Sequence, residues 1–193
     1  MAGRAGATRV GRKMLIQADQ SLLLLVDVQA RLLPVMADPG GAVAGCAKLL
    51  KAASRLGVPI LASEQYSKGL GPTVPELAAL VPANAALAKM TFSCADEPAI
   101  DARIAASGRR TLVLCGIEAH VCVLQSAMGF RARGYDVAVA LDATSSRRAG
   151  DRDLAEHRLR QAGVVVASVE MVLFEWLGRA GTPEFREISA LIK

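Results

Sequence analysis

Two hydrophobic rhythms alternate along the chain. Ser21–Val28 carries the unbroken apolar run Leu22–Val26 and predicts a strand buried on both faces. Gly41–Leu56 spaces its apolar residues as one face of a helix and closes on Gly57, a candidate left-handed cap. Val58–Ala62 predicts a second strand. Glu64–Val74, which contains Gly69, Gly71 and Pro72, predicts a loop crossing the end of the sheet, and Pro75–Leu80 a short helix with proline in its first turn. Further strands are predicted at Leu87–Met90, Thr111–Gly116, Tyr135–Leu141 and Val164–Ala167. Helices are predicted at Glu97–Ser107, His120–Arg133, Asp151–Gln161, Glu170–Leu177 and Pro183–Ile192. Repeated strand–helix alternation without a linker or repeat predicts one α/β domain over residues 14–193, a parallel sheet covered by helices on both faces.

Composition adds limits to this picture. Half of the residues are hydrophobic and only 4% aromatic, so the core must be built from Leu, Val, Ile and Ala. The apolar runs are too short to span a bilayer, and no secretory segment precedes them, so a soluble, cytoplasmic protein is expected. Four of the five net positive charges come from Arg4, Arg9, Arg12 and Lys13, leaving the rest close to neutral. Residues 1–13 therefore read as a basic, disordered extension, with an organellar targeting peptide as the alternative. A nearly neutral domain is not expected to bind nucleic acid.

Chemistry collects at the strand ends. Ligands of open parallel sheets bind beyond the carboxyl ends of the strands, where the strand order reverses. Asp27, Lys89 and the loop Gly116–Cys122 all fall on that edge. Alone, Asp27 reads as a strand terminus and Lys89 as a surface charge; together with Cys122 they read as a base, an electrostatic partner and a nucleophile. Cys122 falls in the first turn of a helix, where a thiolate is favoured, so its thiol is expected to titrate well below the free value of about 8.5. Cys46 and Cys115 read as small buried hydrophobes and Cys94 as a pocket wall. No C-x-x-C spacing is present and there are only two histidines, so no metal site is expected.

The segments Leu24-Leu25-Val26-Asp27-Val28-Gln29, Ala88-Lys89-Met90-Thr91-Phe92-Ser93 and Cys115-Gly116-Ile117-Glu118-Ala119-His120-Val121-Cys122 resemble the isochorismatase-like cysteine hydrolases. The likeness runs from about Met14 to Trp176 and includes Asp142-Ala143-Thr144-Ser145-Ser146-Arg147. It implies a three-layer α/β/α sandwich with a six-stranded parallel sheet, an Asp27–Lys89–Cys122 triad and a cis peptide between Ile117 and Glu118. The backbone N–H groups of Glu118 and Cys122 would then form an oxyanion hole. The implied reaction is hydrolysis of a small amide-like C–N bond through a thioester, without a cofactor.

The nicotinamidases of this superfamily bind a metal through an Asp and histidines after the second strand. Here that stretch reads Ser63-Glu64-Gln65-Tyr66-Ser67-Lys68-Gly69, which implies the metal-free branch. Cys122 argues for acyl chemistry rather than vinyl-ether cleavage. Gln29, Leu33, Tyr66, Phe92, Ile117 and His120 are expected to line the substrate pocket, although His120 reads equally well as a residue fixing the helix start. Ser145, Ser146 and Arg147 read as closing the strand end. The expected partners are a small-molecule substrate and further copies of the chain, in a dimer or larger homo-oligomer, and no membrane; Met171–Trp176 reads as core or subunit interface, and the resemblance favours the interface. The competing reading is a non-catalytic interaction protein that retains the hydrolase fold.

Overall fold

Six strands carry the fold: β1 (Ser21–Val26), β2 (Ile60–Gln65), β3 (Ala86–Lys89), β4 (Thr111–Ile117), β5 (Asp136–Ser145) and β6 (Val165–Ala167). They are parallel and lie in the order β3-β2-β1-β4-β5-β6. The computed structural model describes residues 15–193. The basic segment 1–13 and Met14 lie outside the described residues.

The alternation of side chains along the central strands separates two cores. Leu23 and Leu25 of β1 and Val113, Cys115 and Ile117 of β4 face one layer of helices, α1 (Pro39–Leu56), α3 (Pro75–Ala78), α7 (Val169–Leu177) and α8 (Pro183–Ser189). Leu22, Leu24 and Val26, with Leu112 and Leu114, face the other layer, α4 (Pro98–Ala106), α5 (Leu124–Ala132) and α6 (Ala149–Gln161). Both central strands are buried throughout, which explains why they read as continuous rather than alternating apolar runs. Among the described residues no helix is long and apolar enough to cross a membrane.

Local signals set several boundaries. Asp38 accepts from Gly41 N at 2.8 Å and Pro39 opens α1, while Gly57, with φ +67°, closes it. The only tryptophan docks α7 under the start of β1 by donating from Nε1 to Ser21 Oγ at 3.1 Å.

Other boundaries differ from the sequence pattern. β1 ends at Val26 rather than Val28, because Asp27 adopts φ +51° and turns the chain out of the sheet. β2 begins at Ile60 and continues to Gln65, and a helical turn, α2 (Ser67–Leu70), follows within the expected loop. β5 runs ten residues, past Leu141 to Ser145. Its polar end is hidden from a hydrophobic reading, but Thr144 and Ser145 pair with Gly116 and Ile117 after an irregularity in the β4 register. The helix expected from His120 opens as a π-helical turn, Ala119–Val123, before α5.

β1 lies centrally: the chain leaves it toward β2 and β3 on one side and resumes beside it as β4 on the other. The strand order therefore reverses between β1 and β4, and their carboxyl ends frame a crevice.

Candidate active site

The crevice depends on a close backbone approach. A Cβ at Gly116 would lie 2.1 Å from the carbonyl oxygen of Val26, and Gly116 has φ +114°. Only glycine allows the end of β4 to lie this tightly against the end of β1. The Ile117–Glu118 peptide that follows is cis. The Glu118 carbonyl then accepts from both Val121 N (3.1 Å) and Val123 N (3.2 Å), winding the π-helical turn that carries Cys122.

Asp27, Lys89 and Cys122 meet in this crevice. Lys89 ends β3, two strands from β1, and its stem carries the ammonium past the end of β2. Nζ lies 2.8 Å from Asp27 Oδ2, and both side chains are fully buried. Oδ1 of Asp27 accepts from Ser63 Oγ at 2.7 Å, whereas Oδ2 has the ion pair but no aligned hydrogen bond. The ammonium also donates to the carbonyls of Thr91 (3.1 Å) and Phe92 (3.3 Å) and to Gln65 Oε1. Burial disfavours its charge, but Asp27, and more weakly Cys122, outweigh that effect and hold its pKa above the ordinary lysine value.

The Cys122 thiol corrects an expectation. Its pKa is raised, first by burial and then by the adjacent Asp27 carboxylate, with Lys89 pulling the other way. Cys122 is only 6% exposed. The loss of water and a fixed carboxylate beside the sulfur outweigh the lysine, so the resting site holds a protonated thiol. Cys94 is a second buried thiol in the same cluster. Its backbone N donates to Ser126 Oγ at 2.8 Å, one helical turn beyond Cys122, and burial followed by Asp27 raises its pKa too.

The Isochorismatase domain model matches residues 21–171, from the start of β1 into α7 and across all three of these residues. The chain belongs to the isochorismatase family. It is 39% identical to isochorismatase domain-containing protein 2A of Mus musculus over 92% of this chain and 85% of that one. Among solved structures, the MAR1 ribonuclease of Caenorhabditis elegans superposes with a TM-score of 0.87 at 33% identity, covering 93% of this chain and 92% of that one. The YcaC gene product of Escherichia coli, described as an octameric hydrolase of unknown specificity, gives 0.85 at 26% identity over 95% and 89%.

The residues expected to line a pocket divide into two groups. Tyr66 (52% exposed) and Phe92 (55% exposed) stand open on this edge. Tyr66 also lines a groove of about 510 Å³ beside β3, with Ser67, Lys68, Ala88, Met90 and Glu97. His120 is half-buried, with Nδ1 2.9 Å from Ser146 Oγ and Nε2 3.9 Å from Asp151 Oδ2. Leu33 is half-buried against the α1-side core.

Gln29 and Ile117 do not fit the expectation. The Ile117 side chain is wholly buried in the α1-side core. Gln29 is also buried, and its amide is fully engaged: Oε1 accepts from Gln65 N (2.8 Å), while Nε2 donates to Gln65 O (3.0 Å) and Gly71 O (2.6 Å). Once Asp27 has turned the chain away, this side chain takes the place of a β1 backbone beside the end of β2. Glu64 accepts from Thr73 N (2.7 Å) and Oγ1 (2.8 Å), holding the crossing loop.

Sequence reasoning missed Ser63 and Gln65. They alternate along β2 with Glu64 between them, and both are buried. Three consecutive polar residues, Ser63-Glu64-Gln65, at the end of an otherwise apolar strand were the available signal. The Glu118 carboxylate, 2.8 Å from Arg147 Nε, ties the turn after β4 to the segment after β5.

Proposed function

We propose that the chain is a cysteine hydrolase that opens a small amide-like C–N bond through a thioester on Cys122, with residues 14–193 acting as one domain. The observation that carries this reading is the fully buried Asp27–Lys89 pair at 2.8 Å, facing the Cys122 thiol in the β1/β4 crevice.

Because the thiol is protonated at rest, attack and proton transfer are coupled. Asp27 takes the proton as Sγ bonds to the substrate carbonyl, and the N–H groups of Glu118 and Cys122 receive the developing oxyanion. The transfer exchanges a carboxylate and a thiol for a carboxylic acid and a thiolate. Lys89 therefore faces one anion in either state, and net charge is conserved. As Asp27 becomes neutral, its opposition to the thiolate vanishes while the attraction of Lys89 remains. Asp27 then returns the proton to the leaving amine as the C–N bond breaks. Asp27 then takes a proton from water as the water attacks the thioester, and returns it to the Cys122 sulfur as the C–S bond breaks, releasing the acid and restoring the thiol. Every step uses groups of this chain, with neither metal nor cofactor.

The hydrolase description and octameric state of the E. coli neighbour support hydrolysis and a homo-oligomer here. Four free cysteines among the described residues suit a reducing compartment such as the cytoplasm. The name of the C. elegans neighbour raises RNA as a substrate, but Lys89 is engaged by Asp27 and Arg147 by Glu118, and the groove beside β3 adds one exposed lysine, Lys68, with Glu97 in the same lining. That arrangement favours a small uncharged amide over a polyanion.

Intact mass spectrometry after exposure to a panel of small amides and esters tests the reading, with single-stranded RNA as a parallel arm. The expected result is an acyl adduct absent from Cys122→Ser. Folded protein that forms no adduct and releases no acid across the panel would support the non-catalytic reading. RNA cleavage that survives Cys122→Ser would also overturn the proposal.

A further inference from the structure

The Lys89 ammonium has three protons and four oxygen neighbours: Asp27 Oδ2, Gln65 Oε1 and the carbonyls of Thr91 and Phe92. Only Asp27 is charged. Among the neutral acceptors, Gln65 alone is a side chain, and it is held from several directions. Its Nε2 donates to Met90 O at 2.9 Å, and its backbone N and O are clamped by the Gln29 amide. The amide orientation is dictated at both ends, since the ammonium only donates and the Met90 carbonyl only accepts. Gln65 is buried, and its Oε1 meets the ammonium out of contact with solvent.

We infer that Gln65 is a positioning residue, which tethers the Lys89 ammonium to the end of β3 so that it serves Asp27 and the Cys122 sulfur in turn. The inference rests on the acyl-transfer reading above. When Asp27 accepts the thiol proton, the ammonium loses its carboxylate partner until that proton passes to the leaving amine. A buried ammonium left without acceptors would shed its proton or move. Gln65 Oε1 and the two carbonyls keep it solvated and in place, so its charge remains available to the sulfur. Neutrality matters as much as position. A carboxylate at residue 65 would compete with Asp27 for Lys89 and add a negative charge to a site already opposed to the thiolate.

The groups that face the thiol are Asp27, Lys89 and Cys94. Of the titratable side chains on its own loop, Glu118 is paired with Arg147, and His120 is tied to Ser146 with Asp151 beyond. The residue 65 variants alter none of these side chains themselves.

The test needs no substrate. The rate of Cys122 alkylation by iodoacetamide is followed by intact mass between about pH 6 and 10, with Cys122→Ser identifying the site and thermal melts confirming the fold. Gln65→Glu is expected to slow alkylation about tenfold at a given pH, equivalent to moving a unit-slope profile up by about one pH unit. Gln65→Met, which keeps the length but neither hydrogen bond, should fall between wild type and Gln65→Glu, and it carries the test if the glutamate variant does not fold. Lys89→Met and Asp27→Asn serve as references. Residue 65 variants that match wild type while Lys89→Met shifts the profile would overturn the inference and leave the triad reading standing. Profiles unmoved by Lys89→Met and Asp27→Asn as well would overturn both.

Discussion

Replacing Lys89 by methionine separates a buried ion pair from a surface one. The structure predicts an asymmetry between its two partners. Lys89 is the cation paired with Asp27 Oδ2, and Ser63 serves the other oxygen. Lys89→Met therefore leaves a carboxylate buried without its cation, a change that costs about 3–5 kcal/mol. Asp27→Asn is milder, because the ammonium keeps Gln65 and two carbonyl oxygens. Its expected cost is about 1.5–3 kcal/mol, the worth of a hydrogen bond to a charged group. The double variant removes both charges and should be more stable than Lys89→Met alone. Urea unfolding followed by far-UV circular dichroism measures all three. With a slope near 2 kcal/mol per molar urea, Lys89→Met lowers the midpoint by about 2 M. A drop below about 0.5 M, or a larger drop for Asp27→Asn, would refute the view that this pair is desolvated and that Asp27 depends on Lys89 more than the reverse.

Further outcomes follow from the same geometry. Gly116→Ala should cost about 4 kcal/mol or more, or abolish soluble expression, because its Cβ would meet the Val26 backbone at a positive φ; an unchanged melting temperature would show that β4 has room to withdraw. Gln29→Leu should cost about 2–4 kcal/mol, since it leaves Gln65 N and O buried without partners. The same urea series checks it, and a cost below about 1 kcal/mol would point to a substitute partner. Stability should fall as the pH rises above about 8.5. The thiols of Cys122, Cys94 and Cys46 have raised native pKa values, so there the unfolded chain ionises first and binds fewer protons than the native state. The raised Lys89 pKa adds a loss of the same sign at still higher pH. Urea midpoints at pH 7, 9 and 10 measure the trend, and Cys122→Ser should flatten it.

The positions of Asp27, Lys89 and Cys122 at strand ends were legible because each closes or follows a run of apolar residues, and such runs mark buried strands wherever they occur. The parallel sheet was legible for the same reason, with six strands separated by helical patterns of crossover length. The far end of β5 was not, since Asp142, Thr144 and Ser145 carry no hydrophobic signal and are drawn into the sheet by pairing with β4. Nor was the support beneath the charged pair. Gln29 meets Gln65 across 36 residues of chain and Lys89 meets Gln65 across 24, contacts that no local periodicity encodes. The titration of Cys122 shows the division most clearly. Its sequence places a thiol at the start of a helix near a lysine, and by that reading its proton is loosely held. Folding removes the water around the sulfur and sets Asp27 against it, which reverses the direction of the shift. Sequence alone determined which residues reach the crevice, because strand ends are local features; tertiary packing decided their protonation, because dielectric and charge separation belong to the assembled fold.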